Sequence, residues 1–267
     1  MDFNTISLET LCASLCEIMG VTPPATAEKP TEILTEYAKC IFGNDAADRI
    51  FMYNPDAIGQ WIYEKYREII FPVKEICDIE IPFKTVMPSV TPVCFGTMYT
   101  GAAPSVHGIE AYVKPVIKIE TIFDAMIKCG KRCAIVATEG DSMSKIYLER
   151  KMDYYFYPTV SEVNKKAEKL IKADEHDFIA VYNGNYDSTM HKTGPESEES
   201  ILALSENAKA FSHFNDLIKE NWRKHNTLLG FAMDHGCHEI DGSSGSHGLY
   251  MPEDINILHS YKAYKAE

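Results

Sequence analysis

Asp177-Phe-Ile-Ala-Val-Tyr182 is followed at once by Asn183-Gly-Asn-Tyr-Asp187-Ser-Thr-Met-His191, an unbroken apolar run set against a polar loop. A short apolar run bounded by turn-forming residues reads as a strand buried on both faces. Three other runs have the same form: Arg49-Ile-Phe-Met-Tyr53, Lys131–Ala137 and Thr227–Met233. Helical spacing falls between them, through Trp61, Ile62, Tyr66 and Ile69, over Ile119–Cys129 with Gly130 as its stop, and over a long segment, roughly 198–225. Strands alternating with helices of this length predict an α/β fold. Its central sheet is mainly parallel, with helices on both faces. No repeat or linker divides the region, so residues 46–267 form one domain. Residues 1–45 read as a helical N-terminal appendage. Leu8, Leu11, Leu15 and Ile18 share one helical face there, and Thr31 precedes a second helix that stops at Gly43.

The chain of 267 residues is 45% hydrophobic and 24% charged, which supplies a full core and argues against disorder or coiled coil. Asp and Glu outnumber Lys and Arg 39 to 26, giving a net charge of −13. Such a surface repels a phosphate backbone, so binding to a nucleic-acid polymer is not expected. An anionic small substrate would need a local cationic site, such as a bound metal. No apolar stretch is long enough for a membrane span, and Met1-Asp-Phe-Asn-Thr5 carries no signal-peptide pattern. The eight cysteines, without a Cys-x-x-Cys pair, read as reduced thiols of a cytoplasmic protein.

Polar clusters stand just past the carboxyl ends of the predicted strands: Asp56, the 183–191 loop, and Asp234-His235-Gly236. In open α/β sheets that edge is where ligands bind. Each aspartate alone could be a helix cap, but three clusters on one edge favour a site. Asp187 and His191 are ordinary zinc ligands whose four-residue spacing lets both point into one centre. Asp234 and His235 are adjacent. At a strand end successive side chains point to opposite sides, so this pair suits two neighbouring metals or a bridge between them. Histidines at 238 and 247 compete for a further ligand position, and spacing does not separate them. Ser89-Val-Thr91-Pro-Val-Cys94 reads as a helix start with Thr91 as N-cap and Pro92 at the first helical position; Gly101 is the stop. The Thr91 oxygen would then sit at the positive end of the helix dipole, beside unsatisfied N–H groups.

Taken in order along the chain, these residues resemble the alkaline phosphatase superfamily, most closely its type I phosphodiesterase/nucleotide pyrophosphatase branch. The resemblance runs from about residue 49 to 257. It rests on Asn54-Pro-Asp56, Thr91 ten residues before Gly101, Pro104-Ser-Val-His107-Gly-Ile109, Asp187…His191…Gly194-Pro195, Asp234-His235-Gly236 and His247-Gly248. It implies two divalent metal ions. One would be held by Asp187, His191 and His247, the other by Asp56, Asp234, His235 and the Thr91 oxygen, with His107 structural. Three His and three Asp suit zinc, with manganese or iron as alternatives. Thr91 would be the nucleophile, forming a phospho- or nucleotidyl-threonine on a small phosphorylated substrate. Cys94 stands where the branch often has Asn, the sulfatase Cys-x-Pro-x-Arg motif is absent, and no long insertion forms a cap. Lys145 and Lys192 are candidate anion contacts, although a solvated lysine is the simpler description of each. Alternatives are a phosphomonoesterase, phosphonate hydrolase or phosphomutase of the same superfamily, or a catalytically silent metal-binding module. A homo-oligomer is compatible with all of these.

Overall fold

Ten strands and twelve helices make up the computed structural model, which describes residues 2–267. The chain opens with β1 (Ile6–Ser7), α1 (Thr10–Ile18), α2 (Glu32–Phe42), β2 (Arg49–Pro55), α3 (Gln60–Lys65), α4 (Arg67–Ile76) and β3 (Ile79–Lys84). It continues through α5 (Thr91–Thr100), α6 (Pro104–His107), α7 (Ile122–Lys128), β4 (Cys133–Thr138), α8 (Ser142–Ile146), β5 (Asp153–Tyr157), α9 (Val160–Ala173) and β6 (Phe178–Asn183). It closes with α10 (Asn185–Thr193), α11 (Glu198–Asn221), β7 (Thr227–Phe231), β8 (His238–Ile240), β9 (Ser244–Ser246), α12 (Pro252–Ile255) and β10 (Asn256–Tyr264).

Eight strands form one sheet in the order β1-β3-β10-β7-β2-β6-β4-β5. The apolar runs β2, β6, β7 and β4 lie side by side in it and pair in parallel. Strand β10 is antiparallel to both β3 and β7, so β3 points the same way as β7 and ends at the same edge. The sheet is therefore mixed but mostly parallel, and helices cover both faces. Phe51 and Tyr53 of β2 pack on Phe214 of α11, while Tyr182 and Phe178 of β6 meet Phe95 and Tyr99 of α5 on the opposite face. Strand alternation separates the two sets.

The structure departs from the sequence reading at three local points. The segment read as one helix through Ile69 is two, broken at Tyr66. The 183–191 segment is a helix from Asn185 onward, not a loop. Thr91 is the first helical residue of α5, because the extended Val90 takes the N-cap position. Residues 10–18 and 32–42 are the helices expected there, and β1 adds a short parallel strand beside β3. The Cys12 thiol of α1 reaches the Tyr99 carbonyl of α5 at 3.6 Å. Helix α5 is buried along its whole length and ends on Gly101 in the left-handed conformation.

Candidate metal centre

The carboxyl ends of β7, β2 and β6 are neighbours, and each delivers an acid to the same edge. Asp56 directly follows β2. Asn54 and Asp56 share a side of the strand, the one facing α5, where Tyr99 donates to Asn54 Oδ1 at 2.7 Å. The Asp56 N–H donates to the Asn183 carbonyl at 3.0 Å, and the Tyr182 hydroxyl donates to Asp56 Oδ2. The next residue, Ala57, sits at φ 63°, an uncommon conformation for a residue with a Cβ. Its N–H thereby reaches Asp234 Oδ1 at 3.3 Å.

Two groups of ligand-type atoms result. Asp187, His191 and His247 form the outer one: His191 Nε2 and His247 Nε2 lie 3.2 and 3.4 Å from Asp187 Oδ1. Asp56, Asp234 and His235 form the inner one, with His235 Nε2 at 3.3 Å from both Asp56 Oδ1 and Asp234 Oδ2. Thr91 Oγ1 joins the inner group, 3.3 Å from Asp56 Oδ2 and 3.3 Å from His235 Nε2. The His235 and His247 rings connect the groups, with centroids 4.1 Å apart. The inner residues are buried, whereas His191 is exposed, so the centre opens to solvent on its outer side.

Both groups have the chemistry of cation sites. Each histidine places Nδ1 on a backbone carbonyl: His191 on Gly245 at 2.9 Å, His247 on Ser89 at 3.0 Å and His235 on Gly236 at 2.9 Å. A carbonyl only accepts, so each Nδ1 carries the proton and the neutral ring turns an Nε2 lone pair inward. Facing those lone pairs are Asp56 Oδ1, Asp187 Oδ1 and Asp234 Oδ2, buried carboxylate oxygens without a hydrogen-bond partner. Acceptors converge on acceptors, an arrangement that is costly alone and that a divalent cation satisfies.

The electrostatics agree. Burial, reinforced by the Asp187 charge, pushes the Asp56 carboxyl up to about 7. Burial and the Asp56 charge drive Asp234 well above the usual carboxylate range. Burial holds His235 well below its ordinary value, and hence neutral. In the outer group, burial opposes ionisation of Asp187, but the imidazoles beside it hold it low, and Asp187 in turn raises His191 to about 8. Without cations, the inner group resists carrying its charges.

All seven residues singled out in the sequence meet at this edge. Adjacent Asp234 and His235 both enter the inner group, contrary to strand alternation, because β7 ends at Phe231 and the chain has left the strand by then. His247 faces the centre, whereas His238 places its Nδ1 2.7 Å from Asp254 Oδ1. His107 is buried, with Nε2 3.0 Å from Thr97 Oγ1. Lys145 and Lys192 are exposed. Burial drives the Cys94 thiol well up, and its partners are Thr85 and Val86. The start of α5 offers fewer donors than expected: Pro92 has none, and the Val93 and Cys94 N–H groups both bond to the Val90 carbonyl. Sequence reasoning passed over Tyr182, whose hydroxyl orients Asp56. The one signal was an aromatic with a polar tip at the end of an aliphatic strand.

The family-level sequence model for type I phosphodiesterase/nucleotide pyrophosphatase matches residues 110–258, more than half of the chain. That span holds five of the seven residues; Asp56 and Thr91 precede it. No curated protein matches. Among solved structures, human ectonucleotide pyrophosphatase/phosphodiesterase 5 is similar, with a TM-score of 0.59 and 15% identity over 71% of this chain and 57% of that one. The murine protein gives a TM-score of 0.59 and 16% identity over the same shares. An inactive threonine-to-alanine variant of the murine protein, in complex with AMP, gives 0.55 and 15% over 72% and 57%. The chain thus spans little more than half the length of these structures. Family match and fold lead to one conclusion: this chain belongs to the type I phosphodiesterase/nucleotide pyrophosphatase family, within the alkaline phosphatase superfamily.

Proposed function

We propose that this chain is a phosphoric ester hydrolase that uses two divalent metal ions, zinc by the chemistry of its ligands, and Thr91 as nucleophile. The observation that carries this reading is the position of Thr91 Oγ1, 3.3 Å from both Asp56 Oδ2 and His235 Nε2 at the edge of a cation-type ligand set. Asp187, His191 and His247 would hold one ion; Asp56, Asp234 and His235, with the Thr91 oxygen, would hold the other. When bound, the ions supply Lewis acidity toward phosphoryl oxygens and offset the three carboxylates. Thr91 Oγ1 forms the new bond to phosphorus while the ester oxygen opposite it departs. The hydroxyl proton is directed at Asp56 Oδ2. Water then breaks the bond between phosphorus and Oγ1 and regenerates the hydroxyl. Burial of α5 along its whole length keeps the nucleophile in register with the acids.

The AMP complex of the murine relative supports a nucleotide-type phosphodiester as substrate. The eight free cysteines support a reducing, cytoplasmic setting, and no helix among the described residues is long and apolar enough to cross a membrane. Residues 1–45 act as a packing appendage to the 46–267 domain. The test is Thr91→Ala assayed with bis-p-nitrophenyl phosphate. Activity should fall by at least about 10³-fold, as nucleophile deletions do. Metal content should stay near two per chain, one for each ligand group. Undiminished turnover would remove Thr91 from the reaction.

A further inference from the structure

His238, the histidine left outside the centre, leads to a second role on the same edge. Its partner Asp254 is fully buried, although its carboxylate touches neither ligand group. Asp254 Oδ1 lies 2.7 Å from His238 Nδ1, and Asp254 Oδ2 accepts the Leu249 N–H at 2.8 Å. Its backbone carbonyl accepts the Gly236 N–H, also at 2.8 Å. Leu249 lies two residues after His247, and Gly236 directly follows His235. One residue thus grips the two segments that bring a ring of the outer group and a ring of the inner group together, centroids 4.1 Å apart.

We infer that Asp254, backed by His238, is a positioning residue that preorganises the metal centre by holding the His247 segment against the His235 segment. The inference rests on the two-metal reading above. The loop from Asp241 to Ser243 is exposed, and Gly242 adopts a left-handed conformation. The carboxylate bond to Leu249 and the Ser89 contact of His247 therefore restrain a segment that its own secondary structure holds by only two three-residue strands. The two grips also differ in kind. Removing the side chain frees Leu249 but leaves the carbonyl bond to Gly236, so the outer group should suffer more than the inner. Groups that orient metal ligands typically affect affinity by about 10–100-fold.

The experiment is a competition titration of full-length apoprotein with zinc and a chromophoric chelator, alongside thermal melting of the apo form. Wild type should take up zinc in two steps, of which His191→Ala removes one. Asp254→Ala should weaken that outer step about tenfold or more and spare the other. Asp254→Asn should restore it, because its amide oxygen can accept from Leu249 while its amide N–H donates to a neutral His238 of the other tautomer. Unchanged outer affinity in folded Asp254→Ala, or an equal loss at both steps, would overturn the clamp while leaving the two-metal reading standing. If Asp254→Ala does not fold, His238→Ala decides: a severalfold loss at the outer step supports the clamp and none removes it. Wild type that takes up no zinc would sink both readings together.

Discussion

His191 and His247 point their Nε2 atoms at each other across 3.1 Å, while their Nδ1 atoms are committed to the carbonyls of Gly245 and Ser89. Two imidazole lone pairs at that separation repel unless a proton or a cation lies between them. The same contact spans 56 residues of sequence and joins α10 to the segment that follows β9.

Zinc should therefore stabilise the folded chain. A ligand that binds only the native state adds about 2.7 kcal/mol at a hundred times its Kd. For a domain of this size that raises the melting temperature by roughly 5–10 °C. Calorimetry of the chelated protein with and without zinc measures the shift, and His191→Ala should reduce it. Identical melting curves would count against a metal in the outer group.

Gly236 should not tolerate a side chain. A Cβ there would lie 2.0 Å from the Glu253 carbonyl oxygen and 2.8 Å from the Gly59 Cα, both backbone atoms that cannot step aside alone. Gly236→Ala is expected to cost about 3 kcal/mol, the upper end for overpacking, and to displace His235. Denaturant midpoints give the cost. A change below about 0.5 kcal/mol, the range of a surface substitution, would contradict this close packing.

His259 should make stability fall on mild acidification. Burial pushes its imidazole down to about 4, and its Nε2 lies 2.6 Å from the Met233 carbonyl, which requires a proton on that nitrogen. The ordinary value is 6.5, so between about 6.5 and 4 the unfolded chain binds a proton that the folded chain refuses. Stability is fully present above that window and is lost as pH falls through it, by about 1.4 kcal/mol per pH unit. His107, pushed down to about 4 by burial as well, acts in the same direction. The stability gap between wild type and His259→Gln should narrow by about 2 kcal/mol from pH 7.5 to pH 5. A constant gap would mean that His259 is not held neutral.

Much of the molecule was legible before folding because the information is local. The aliphatic runs that become β2, β4, β6 and β7 bury both faces, and continuous apolar sequence says so. Strands β3 and β10 were not legible. Ile79–Lys84 contains Pro82, which argues against a strand, and Asn256–Tyr264 interleaves polar residues that pair only once β10 inserts between β3 and β7. Gly101 as a helix stop followed from its chemistry, whereas Val90 rather than Thr91 at the N-cap depended on how the chain leaves β3.

By itself the sequence determined the alternation of buried strands and helices, and the acids and histidines placed at the strand ends. Hydrophobic periodicity and turn chemistry act over a few residues, and both survive in isolation. Only the tertiary structure decided that His247 and not His238 faces the centre, that Asp234 and His235 turn the same way, and that Tyr182 and Asp254 support the ligand segments. Those outcomes depend on partners far away in the chain, such as the Ser89 carbonyl 158 residues before His247. Contacts of that separation exist only after the sheet has brought its edges together.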